Sequence, residues 1–150
     1  MAKTKGRGLK CNFEKNNLLL RRDLIFPADV REITPAVNLV LEIAAEMSCA
    51  KGKEYEIEIS LREALVNAIK HGCKYDAGKN VRLTVHCDES RGMLLIVRDP
   101  GDGYDVGSLP DPLTGERVYA THGRGIYMIN RLMDEVHFRK RGSEIRMRKR

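Results

Sequence analysis

No stretch of the 150 residues approaches the roughly 20 consecutive apolar residues that a membrane helix needs. No apolar signal-peptide core follows the basic start MAKTKGRGLK either, because NLLLRRDLIF is broken by charge after three leucines. A cytoplasmic location is therefore the expectation. The four cysteines, Cys11, Cys49, Cys73 and Cys87, form no CxxC pair and no Cys/His cluster. That spacing argues against zinc and leaves free, mostly buried thiols as the expectation. There is no internal repeat, and no second domain is required, since a chain of this length buries roughly two thirds of its unfolded surface in one core. The expected organisation is a flexible basic arm over residues 1–15 and a single domain over 16–150.

What is present is an ordinary globular composition, 42% hydrophobic and 32% charged. The formal charge of +6 is concentrated at the two ends, in Lys3, Lys5, Arg7 and Lys10 and in RKRGSEIRMRKR. Clustered Lys and Arg raise nucleic acid as a partner. The closing segment, however, alternates Ile145, Arg146, Met147 and Arg148, as a half-buried strand with a solvated face does.

Periodicity orders the rest. Leu20, Leu24 and Phe26 suggest a strand over 18–26. Thr34 and Pro35 read as cap and first helical residue, with Val37, Val40, Leu41, Ala44 and Met47 as the apolar face. EYEIEISLREALVNAIKHG starts with a strand-like alternation, but Ile57, Leu61, Leu65 and Ile69 recur every four residues, which makes it one long helix stopped at Gly72. VRLTVHC and MLLIVRD are strands, the second apolar on both faces and hence central. Gly, Pro and Asp mark a loop over 100–115, GIYMINRLMDEV a last helix, and EVHFRK with SEIRMRK a closing hairpin. Helices grouped on one face of a mixed, mostly antiparallel sheet make an α+β two-layer sandwich.

Within the long helix, Glu63, Asn67 and Lys70 share one face and form a polar stripe in an otherwise buried element. DPGDGYD follows the central strand, and HGRG opens the last helix. Alone, each is a weak signal. Asp with two glycines also suits a tight turn, whereas Gly123 and Gly125 would bare helix N-terminal N–H groups to phosphate oxygens.

In this order the three segments resemble the N, G1 and G2 boxes of the GHKL ATPases, which carry the Bergerat ATP-binding fold. REALVNAIKHG, DPGDGYD, GRGIYMINRLMDEV and the closing hairpin are similar to the anti-sigma-factor serine protein kinases of bacteria, over about residues 18–149. The resemblance implies ATP and Mg2+ as cofactors. It also implies that Asn67 is a magnesium ligand, that Lys70 lies near the phosphates, and that Asp99 accepts a hydrogen bond from the adenine amino group. Gly101 and Gly103 would let the loop pass the base, Gly123 and Gly125 would line the triphosphate, and residues 104–121 would be a lid in which Tyr104 covers the nucleotide or packs. Glu63 would be the general base that takes a proton from a serine hydroxyl. Some members carry an arginine ahead of the G2 glycines that contacts the γ-phosphate. Here Thr121 and His122 stand there, and Arg124 either substitutes or is solvated. His71 would cap the helix or fill space beside the site.

The implied function is an ATP-dependent serine/threonine protein kinase acting as an anti-sigma factor. Its partners would be a sigma factor, a STAS-domain antagonist that it phosphorylates, and a second copy of itself. The alternatives are a non-catalytic ATP-binding module that sequesters a protein partner, and direct nucleic-acid binding through the basic ends. A detached histidine-kinase ATPase domain is disfavoured by the lack of a phosphoacceptor helix ahead of the N box.

Overall fold

Alternating apolar residues at 81, 83, 85 and 87, all fully buried, and an uninterrupted apolar strand beside them organise the described residues around a five-stranded sheet. The computed structural model describes residues 20–101 and 122–150. In chain order the elements are β1 (Leu20–Pro27), α1 (Ile33–Glu46), α2 (Glu54–Asn67), β2 (Asn80–Asp88), β3 (Gly92–Arg98), α3 (His122–Leu132), β4 (Glu135–Arg139) and β5 (Glu144–Lys149). The sheet runs β1-β2-β3-β5-β4 with every pairing antiparallel, and β3 is central, as its two apolar faces require. Leu24, Leu83, Val97, Ile145 and Phe138 stand side by side across the five strands on the face that meets the helices.

The four-residue apolar repeat of α2 is the centre of the core: Ile57, Leu61, Leu65 and Ile69 are each 0% exposed. α1 adds Val37, Val40 and Ala44, and α3 adds Ile129. The two-layer α+β expectation and its element order hold, but the sheet is not mixed: among the described residues every strand pairing is antiparallel. The start of α1 differs from the sequence reading. Asp29, not Thr34, supplies a cap, accepting from Arg31 N at 2.9 Å to open a short 3-10 turn (Val30–Glu32) that runs into α1. Thr34 then lies inside the first turn, where Pro35 is tolerated because no intrahelical N–H bond is needed there.

Two further expectations are corrected. Cys49 and Cys87 are not free thiols but a disulfide, while Cys73 is a buried free thiol and Cys11 lies outside the described residues. Spacing of 38 residues gave no sign of it. The connection between α1 and α2 folds back under the end of β2, and only that tertiary path brings the sulfurs together. The arginines of β5 are also paired rather than merely solvated. Arg146 donates to Glu144 at 2.8 Å, and Arg148 donates to Glu135 at 2.6 Å. Glu144, 2% exposed, takes a second guanidinium from Arg98 at 2.7 Å. Burial alone would push its carboxyl up, but the bonds from Arg146 and Arg98 outweigh it and hold it below the ordinary value. The N-terminal arm lies outside the described residues. Among the described residues, no helix is long and apolar enough to cross a membrane.

Candidate functional site

α2 does not stop as a regular helix. It widens into a π-helical turn, Ala68–Gly72, in which Cys73 N donates to Ala68 O at 2.9 Å. Such turns occur often at functional sites. Here the turn forms one wall of a cavity of about 280 Å3. Ala64, Asn67, His71 and Gly72 line that wall; Val97, Asp99 and Gly101 line the end of β3; Phe138, Ser143 and Ile145 come from the closing hairpin. The mixture of apolar walls with a few convergent polar groups suits a small organic ligand.

Asp99 is fixed in this cavity through its backbone and its side chain. Its N–H donates to Ser143 O at 2.9 Å, continuing the sheet past β3, and its Oδ1 accepts from Gly101 N at 2.8 Å. Burial raises the carboxyl above its ordinary value, and the Gly101 bond offsets this in part. A half-buried carboxylate with a single hydrogen-bond donor on it has room to accept another. Gly101 also has to be small, since a Cβ there would lie 2.5 Å from Gly72 O. Cys73, beside this wall, is fully buried. Burial and then the neighbouring Asp99 charge raise its thiol, which disfavours the thiolate.

A second junction forms where α2 meets α3. Gly125, buried in the first turn of α3, sits so close to α2 that a Cβ would fall 2.7 Å from Glu63 Oε2 and 3.6 Å from Asn67 Nδ2. Glu63 and Asn67, one helical turn apart, thus both face the N-terminal turn of α3. A helix N-terminus favours anions through its first backbone N–H groups and the positive end of the helix dipole. Gly123 lies in that same turn, and Arg124 is exposed beside it.

The structure therefore gathers Asn67, Asp99 and Gly101 around one cavity and sets Glu63 against Gly125. Lys70 does not line the cavity, whereas His71 does. A wider turn advances less around the axis per residue, so residue 70 lags behind the Asn67 line and residue 71 comes onto it. Gly103, Thr121 and residues 104–121 lie outside the described residues. Phe138 and Ser143 are cavity residues that sequence reasoning missed, because EVHFRK and SEIRMRK read only as the strands of a hairpin.

Comparison with known proteins identifies the family. The family described as histidine kinase-like ATPase domain matches residues 26–149. The serine-protein kinase RsbW of Halalkalibacterium halodurans is 32% identical over 91 residues, 57% of this chain and 54% of that protein. RsbW of Bacillus licheniformis is 30% identical over 115 residues, covering 70% of this chain and 69% of that protein. RsbW of Bacillus subtilis is 28% identical over 113 residues, with coverages of 70% and 69%. The chain spans about half the length of the first of these and about two thirds of the other two.

Proposed function

The chain belongs to the histidine kinase-like ATPase family, in the branch of the RsbW serine-protein kinases, and from that premise we propose that it is an ATP- and magnesium-dependent serine/threonine protein kinase acting as an anti-sigma factor. Its partners would be a sigma factor, which it holds, and a STAS-domain antagonist, which it phosphorylates on serine. A homodimer is part of the same reading.

The observation that carries the proposal is the meeting of Glu63 with Gly125 beside Asn67, a residue that also lines the cavity holding Asp99. Each residue of the chain then has a task. Asp99 accepts from the exocyclic amine of the base, and Val97, Phe138 and Ile145 exclude water around it. The amide oxygen of Asn67 is a neutral, hard ligand. One such protein group fits magnesium, which binds through few side chains and takes its other oxygens from phosphate and water. Bound nucleotide supplies the transferable γ-phosphoryl group. The N–H groups at the start of α3, bared by Gly123 and Gly125, hold phosphate oxygens. Lys70 contributes a positive charge close to them, Gly101 and Gly103 give the base room, and Thr121 and Arg124 flank the glycines. Glu63 accepts the proton of the attacking serine hydroxyl.

The direct test is to incubate the chain with ATP, magnesium and a serine-bearing STAS-domain protein from the same genome, and to locate phosphate by mass spectrometry. Phosphoserine on that protein is the expected result. Partner capture without any phosphate transfer would replace the kinase with a non-catalytic ATP-binding module.

A further inference from the structure

We infer that Gly72 is a positioning residue for nucleotide selectivity: it is the seat of the Asp99 carboxylate. The sequence suggests another role for it, that of a helix stop, which glycine fills by taking a left-handed conformation. Gly72 does not do this. The described glycines with positive φ are Gly52, Gly92 and Gly142, and the left-handed residues that end this helix are Lys74 (φ 53) and Tyr75 (φ 60). The backbone at residue 72 is therefore open to any L-residue, and alanine, the better helix former, would be favoured there on local grounds.

What forbids a side chain is Asp99. A Cβ built on Gly72 would overlap the Cγ and both carboxyl oxygens of Asp99 at once. The carboxyl cannot swing aside freely. Its Oδ1 is held by Gly101 N, its backbone is bonded to Ser143 O, and Gly101 is itself pressed against Gly72 O. The π-helical turn brings Gly72 flush against this carboxylate, and the missing side chain is the space the carboxylate occupies. Gly72 thus sets where the acceptor stands.

The inference rests on the reading of Asp99 as the adenine contact, and the experiment separates the two. Affinities for ATP and for inosine triphosphate, which has a carbonyl where adenine has its amine, are measured by calorimetry on wild type and Gly72→Ala. Wild type should prefer ATP by about 10- to 100-fold, the worth of a charge-assisted bond. Gly72→Ala should bring the ratio down to roughly threefold or less, because its displaced carboxylate no longer meets the amine. A variant that loses affinity for both nucleotides equally, with the ratio intact, overturns the inference, since loss of fold or simple crowding does not discriminate between bases. A wild type without preference overturns the adenine reading of Asp99 and the inference with it. If Gly72→Ala does not fold, Gly72→Ala/Asp99→Ala decides: recovery of cooperative unfolding upholds the contact, and failure to recover overturns it.

Discussion

Glu63 and Gly125 are packed so closely that the carboxylate oxygen of the first occupies the space where a side chain of the second would begin. The candidate base is thereby held at the entrance of α3, the point where an anion is best received. Truncating Glu63 to alanine removes the proton acceptor and leaves the cavity lined by Asn67 and Asp99 intact. Phosphotransfer should fall by about 10²- to 10⁴-fold, with ATP affinity unchanged by calorimetry. A transfer rate equal to wild type would remove Glu63 from the chemistry.

Asp99→Asn keeps shape but trades a charged acceptor for a neutral amide. ATP affinity in the presence of magnesium should drop roughly 10- to 100-fold. The ligand-free protein should respond in the opposite sense. Burial raises the folded carboxyl above its ordinary value, so the stability it contributes is present at acid pH and is lost as pH rises through the folded value. At pH 7 the asparagine variant should therefore melt above wild type. Thermal unfolding without nucleotide, at pH 4 and pH 7, checks this, and a gap that does not widen toward neutrality contradicts it.

Glu144 behaves in the reverse way. It is held below its ordinary value because the Arg146 and Arg98 bonds overcome the cost of burial, so its stabilisation is present above the unfolded carboxylate range and disappears as pH falls through the depressed folded value. Glu144→Gln leaves two guanidiniums facing each other across β3 and β5. Denaturant unfolding at pH 7 should show a loss of about 3 kcal/mol, and the difference from wild type should shrink in acid.

The disulfide lies at the end of the sheet remote from the cavity that holds Asp99, because Cys87 pairs with Met93 at the start of β3 while Asp99 follows its end. Reduction, or Cys49→Ala/Cys87→Ala, should cost about 4 kcal/mol for a closed loop of this length. ATP affinity measured well below the melting temperature should hardly move. A large loss of affinity would mean that the far end of the sheet governs the site.

The sequence carried most of this fold in residues that act through periodicity. Ile57, Leu61, Leu65 and Ile69 declared α2, and the two apolar faces of residues 93–97 declared a central strand, because burial repeats with the geometry of the element. Asp99 and Asn67 were legible because their motifs are local. What was hidden depends on residues far apart in the chain: Cys49 with Cys87, Ser143 with Asp99, Phe138 in the cavity wall. The π-helical turn was hidden for a different reason, since an apolar count at 3.6 residues per turn cannot see a local change of pitch. That change is what exchanged Lys70 for His71 in the wall.

The Cys49–Cys87 bond also turns part of the chain into a covalent ring, and every residue of α2 and its π-helical turn lies within it. A single protease cut anywhere in that ring, including the exposed bend at Lys74 and Tyr75, severs the backbone without separating the pieces. Such a nicked chain runs as one band on a non-reducing gel and as two after reduction, and until reduction it keeps Glu63, Asn67 and Gly72 tethered to the strands they serve.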